Sequence, residues 1–198
     1  MKNLQFPLHF TFKISTLSND FIVKDFKGDA IGFVKQKLFK LVEEIKIYHE
    51  ESKQNLIYTI KANRWLDFSA TYVFYDSQEK EIGRVVRKGW KSLWRARYEI
   101  YDHQQQLILN IQENSGWVLL LDGLLREIPI LNLLTNYLFN PSYKVMRPDG
   151  KVIIQLKKDR SFLGRHFTAE KLEEFKKDEE ECGILGLMMM SILEKYRG

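Results

Sequence analysis

The chain has 198 residues, of which 44% are hydrophobic and 29% charged, with a formal net charge of +5 at pH 7. That length fits one domain over residues 1–198 with a sizeable core, and the apolar and charged fractions are those of an ordinary globular protein. The mild positive charge permits an anionic partner without requiring one.

The N-terminal stretch Met1-Lys-Asn-Leu-Gln-Phe-Pro7 has no uninterrupted apolar run followed by a cleavage site, so no signal peptide is expected. The single cysteine, Cys182, allows no disulfide within the chain, and a reducing, cytoplasmic setting is expected. From Phe6 to Ile14 apolar and polar residues alternate, the pattern of a half-buried strand, with Pro7 at its start.

A repeat follows. Phe21-x-Val23-x-Asp25 is answered by Ile31 and Val34, Tyr72-x-Phe74-x-Asp76 by Ile82 and Val85, and Tyr98-x-Ile100-x-Asp102 by Ile108 and Ile111, all at the same offsets. A looser copy runs from Tyr143-x-Val145 through Pro148-Asp149-Gly150 to Val152 and Ile154. The unit is a β-hairpin: two inward residues, an Asp whose carboxylate accepts backbone N–H groups in the turn, and a return strand. The three aspartates are therefore expected to be turn residues and not paired catalytic carboxylates. Glu43 to Glu50 and Leu56 to Lys61 flank a further turn at Ser52-Lys-Gln-Asn55, and Phe162 to Thr168 reads as a late strand. About thirteen strand candidates are more than an open sheet holds without curling, and closure removes the edges.

Two stretches read as helix. Ile130, Leu133, Leu134, Tyr137 and Leu138 have helical spacing behind Pro129 and before Asn140-Pro141, a short amphipathic helix expected to lie against the sheet. Cys182 to Leu193 is apolar on every side. Such a helix must be enclosed, and at ~1.5 Å per residue it is too short for a bilayer core. Acids before it and Lys195 and Arg197 after it match the helix dipole, Asp178 and Glu181 have the spacing of a capping box, and Gly183 and Gly186 suggest a backbone or ring pressing close. Met188, Met189 and Met190 read as filler and Cys182 as a small hydrophobe. The expected fold is α+β, mainly β: a closed antiparallel barrel of roughly twelve strands around a buried C-terminal helix, with the one amphipathic helix outside.

Tyr72-Val-Phe-Tyr-Asp76 with Ile82-Gly-Arg-Val-Val-Arg-Lys-Gly-Trp90, Tyr98-Glu-Ile-Tyr-Asp102, Tyr143-Lys-Val145 and Cys182 to Tyr196 together resemble the LURP-one-related family. That family sits in the Tubby C-terminal-like superfamily with the phospholipid scramblases. The resemblance runs from about Phe21 to the end, and it implies the same barrel around a C-terminal helix. Tubby domains bind phosphatidylinositol bisphosphate through basic residues, and scramblases handle phospholipids with calcium. No phosphoinositide pocket aligns residue by residue here, no EF-hand-like run supports calcium, and the palmitoylated cysteine cluster of scramblases is absent.

The basic stretch from Arg84 to Arg97 holds Arg84, Arg87, Lys88, Lys91, Arg95 and Arg97 with no acid among them, and Trp90 and Trp94 interleaved. These six cations are the candidate phosphate-binding residues, and Trp90 the candidate membrane contact. The competing reading is a solvated basic face with both tryptophans in the core. Three functions follow: a non-catalytic module for anionic phospholipid or phosphoinositide headgroups, peripheral at the membrane; an intracellular module whose partner is another protein; or a scramblase-like role in which the helix leaves the barrel. Nucleic acid is disfavoured, since no further basic stripe accompanies the hairpin. His9, His49, His103 and His166 are scattered, and the nucleophile elbow, P-loop and dinucleotide fingerprint are missing. Neither an enzyme, a metal nor a cofactor is expected.

Overall fold

The computed structural model describes residues 4–13, 20–36, 44–49, 51–52, 54–63, 70–88, 97–114, 142–159 and 166–195. The strands are β1 (Leu8–Phe12), β2 (Phe21–Lys24), β3 (Ala30–Gln36), β4 (Glu44–Tyr48), β5 (Leu56–Ala62), β6 (Thr71–Asp76), β7 (Glu81–Arg87), β8 (Arg97–Asp102), β9 (Leu107–Glu113), β10 (Ser142–Met146), β11 (Val152–Lys158) and β12 (His166–Lys171). The helix α1 spans Glu179–Lys195. Every strand pairs antiparallel with its neighbours in sequence, and β1 pairs with β12, so the twelve strands close into a barrel. Closure leaves no edge to template aggregation.

Each repeat is the hairpin its pattern predicts. One carboxylate oxygen of Asp25 accepts the N–H groups of Lys27 and Asp29, Asp76 those of Gln78 and Lys80, and Asp102 those of Gln104 and Gln106, at 2.8–3.0 Å. In the fourth copy the turn carboxylate moves two residues on: Asp149 accepts the N–H of Lys151 at 2.9 Å. Arg147 takes the place of the aspartate, with the same backbone pair, its N–H to Lys151 O and its O to the Gly150 N–H, both 2.9 Å.

Inside, Cys182 to Ile192 is buried without interruption. The rod is off-centre, nearest β7, β8 and β9. Small residues allow that approach. A Cβ on Gly83 would stand 2.6 Å from the backbone oxygen of Tyr101 and 2.8 Å from Cys182 Sγ, and one on Gly186 would stand 2.5 Å from Ile100 Cδ1. Branched aliphatic side chains, and not a backbone or ring, press on Gly183 and Gly186. Across the barrel, on β1, β2 and β12, the space is filled by rings: Phe12 lies 4.7 Å from Phe21 and 6.1 Å from Phe167, and Phe10 lies 6.1 Å from Phe21. The interior is a core built on the helix.

The first turn of α1 is seated by three separate parts of the barrel. Glu179 is held by Arg147, Glu180 accepts the N–H of Leu4 at 2.9 Å, and Glu181 accepts the hydroxyl of Tyr58. Asp178 has a φ of 65°, away from the extended region of a capping residue. The capping-box spacing therefore corresponds to a different arrangement, in which the carboxylates reach outward to the wall. The expected late strand also shifts: β12 runs on to Lys171 instead of ending at Thr168. The amphipathic helix expected over 130–139 lies outside the described residues.

Candidate functional site

Alternation along β7 and β8 sorts the basic stretch by face. Val85, Tyr98 and Ile100 are buried inside, so Arg84 and Val86 on β7 and Arg97, Glu99 and Tyr101 on β8 point outward. The register places Arg84 opposite Tyr101 and Val86 opposite Glu99. The N–H of Lys88 donates to Arg97 O at 3.0 Å. Arg84, Lys88 and Arg97 thus share one outer face. Arg87 does not join them: it stands opposite Tyr98, in the inward row at the end of the strand. Lys91 and Arg95, with Trp90 and Trp94, lie outside the described residues.

The stretch contains no acid, yet its folded face does. Glu81 Oε1 accepts Nη2 and Nε of Arg84 at 2.5 and 3.1 Å. Glu99 Oε2 lies 2.7 Å from Lys88 Nζ and accepts the Tyr101 hydroxyl at 2.5 Å. Partial burial works against the Glu99 charge, but hydrogen bonds from Lys88 and Tyr101 and the nearby Arg97 outweigh it and hold the carboxyl below its usual range. The same contacts raise Lys88 and Tyr101 above theirs, each chiefly through its hydrogen bond to Glu99. Both acids sit just beyond the ends of the basic run: Glu81 reaches Arg84 from three residues back on β7, and the pairing of β7 with β8 brings Glu99 to Lys88. The signal available in sequence was the two-residue step from Arg97 to Glu99 to Tyr101, which puts all three on one side of a strand.

Residues 30–126 match the model of the LURP-one-related family. That span, 97 of the 198 residues, is LURP-one-related. The family lies in the Tubby-like and scramblase superfamily, in agreement with the twelve-stranded barrel around a helix. The matched span takes in β3 to β9, including the outer face of β7 and β8. No curated protein and no solved structure gives a significant match to the chain.

Elsewhere on the LURP-one-related barrel, polar groups serve the fold. His9 Nδ1 meets Thr168 Oγ1 at 3.2 Å on the closing β1–β12 ladder, and Thr168 donates onward to Asp159 at 2.8 Å. His166 Nδ1 meets Thr11 Oγ1 at 3.2 Å. Among the described residues no three His, Cys, Asp or Glu side chains group as metal ligands would. Cys182 is buried, and burial, with Glu181 and Asp178 nearby, pushes its thiol up to about 12, far from a reactive thiolate. Among the described residues no helix is long and apolar enough to cross a membrane.

Proposed function

We propose that this LURP-one-related barrel is a non-catalytic binding module that works at its outer wall, in the cytoplasm and peripherally at membranes, holding anionic phospholipid headgroups on the face of β7 and β8. The observation that carries the reading is the gathering of Arg84, Lys88 and Arg97 on one outer face of a barrel whose inside is filled by α1. Near an acidic surface each cation contributes roughly 1 kcal/mol. Glu81 and Glu99 offset part of this charge, so binding by this face alone is weak and strongly salt-dependent. Sedimentation with phosphatidylcholine vesicles, with and without acidic lipid, at low and high salt tests it. Binding that requires acidic lipid, fades with salt and is lost in an Arg84→Gln/Lys88→Gln/Arg97→Gln variant supports the reading; no binding at low salt removes it.

A second reading, a protein partner, is favoured by a different place. Phe26 and Leu172 are 52% and 50% exposed at the short-turn end of the barrel. The N–H of Phe26 donates to Gln5 O, and the neighbouring Phe6 ring packs on Phe175, so the two exposed side chains flank one apolar arc. Acids and lysines are interspersed around it, as at a protein contact and unlike a lipid-facing surface.

A further inference from the structure

Glu99 sits where a ligand anion would. Lys88 Nζ and the Tyr101 hydroxyl both close on its Oε2, at 2.7 and 2.5 Å, and Arg97 lies close enough for its charge to act on the same carboxyl. An ammonium and a phenol on one carboxylate oxygen, with the Arg97 side chain two residues along the same outer face of β8, make an anion cradle. The cradle is occupied by the protein's own side chain, which is only partly buried, at 25% exposed, and its lysine partner is 48% exposed. A surface pair of that kind holds weakly and can be exchanged.

We infer that Glu99 acts as an internal counter-anion that makes the face of β7 and β8 selective for phosphate monoesters over phosphate diesters. The inference rests on the headgroup reading for where the site lies and adds which headgroup it takes. A diester carries one negative charge, as Glu99 does, and gains nothing by displacing a carboxylate that is already tethered in place. A monoester carries about −1.5 to −2 charges and three strong acceptor oxygens at neutral pH. It can therefore satisfy Lys88, Arg97 and Tyr101 together and still outbid the carboxylate. Glu99 sets the threshold, and only the more highly charged anion passes it.

The test compares wild type with Glu99→Gln on phosphatidylcholine vesicles carrying either phosphatidic acid, a monoester, or phosphatidylglycerol, a diester, at matched surface charge. Wild type is expected to prefer phosphatidic acid. Removing one like charge from the site should raise phosphatidylglycerol binding by about fivefold and shrink the preference. An unchanged preference in Glu99→Gln, with both vesicles still bound, overturns the inference and leaves the headgroup reading standing. Inorganic phosphate separates the two sources of the same chemistry. Saturable binding of the free ion without any vesicle binding keeps the phosphate cradle and removes the headgroup reading; vesicle binding that the free ion competes away keeps both, and vesicle binding that saturating free ion leaves unchanged overturns the inference. Absence of binding to every probe in both proteins overturns both. The cradle also has a readout that needs no ligand: the Tyr101 phenol should titrate at lower pH in Glu99→Gln than in wild type, and an unchanged titration overturns the inference.

Discussion

Arg147 grips Glu179 through two parallel hydrogen bonds, Nε to Oε1 at 2.7 Å and Nη2 to Oε2 at 2.8 Å, with both side chains more than nine-tenths buried. Two further hydrogen bonds hold the pair: Arg147 Nη2 donates to Glu174 O, and Glu179 Oε2 accepts the Lys176 N–H, both at 2.7 Å. The pair joins the fourth hairpin to the start of the plug. The exchange of the turn aspartate for arginine in that one copy is what makes the pairing available.

Breaking the pair from one side should be costly. Glu179→Ala leaves a buried guanidinium without its carboxylate, and removing one partner of such a pair typically costs ~3–5 kcal/mol. The Arg147→Met/Glu179→Leu double variant should recover most of that loss. Urea denaturation of the two variants checks it; equal destabilisation of both would show that the charges are not coupled.

The same pair predicts an acid limb. Burial disfavours the Glu179 charge, but Arg147 and the Lys176 N–H more than offset it, so the folded carboxyl titrates below its ordinary value. A group depressed in this way stabilises the fold fully above its unfolded pKa of about 4.3, and loses that contribution as pH falls through the lower, folded value. The stability gap between wild type and Glu179→Gln should therefore be constant at neutral pH and narrow below about pH 4.3. Thermal melts across pH 3 to 7 read this directly.

The close approach of α1 to β7 predicts that two glycines respond differently to a methyl group. Gly83→Ala drives Cβ into Cys182 Sγ and into the Tyr101 backbone oxygen, which does not move without its strand, so a cost of ~1–3 kcal/mol is expected. Gly186→Ala meets the mobile end of Ile100 and gains roughly 1 kcal/mol of helix propensity, so its net effect should be much smaller. Denaturation midpoints rank the two, and a larger loss for Gly186→Ala would contradict the packing described.

Tyr58 is buried and its phenol is pushed well above the usual tyrosine range, by burial first and then by the Glu181 carboxylate it binds. Tyr58→Phe should cost about 1.5–3 kcal/mol, more than a neutral hydrogen bond, because a charged acceptor loses its donor. Phenolate absorbance at rising pH should show Tyr58 silent until the barrel unfolds, with the missing amplitude identified by comparison with Tyr58→Phe.

Much of this architecture is legible without coordinates. The aspartate hairpins repeat at fixed offsets because each turn needs the same carboxylate, and the helix from Cys182 has no polar side, so only an enclosing sheet accommodates it. β12 was harder: Phe167 and Ala169 are its only inward apolar residues, and the denser cluster at Phe162-Leu163 draws the reading upstream. The candidate face was half legible. Period-two alternation places Arg84 and Arg97 on one side, but the contact of Glu99 with Lys88 depends on the pairing of β7 with β8, and Glu81, which reaches Arg84 from three residues back on the same strand, lies outside the basic run. Arg147 was invisible as a clamp because its partner lies 32 residues away. The basic positions Lys91 and Arg95 and the tryptophan at Trp90 lie outside the described residues.

Native-state amide hydrogen exchange of α1 tests the enclosed helix most directly. With the rod built into the core, the amides of Ile184 to Ile192 should exchange only through global unfolding, as slowly as the central residues of β7 to β9, both in free solution and on acidic vesicles. Exchange of those amides well ahead of the surrounding strands, in either condition, would contradict the account.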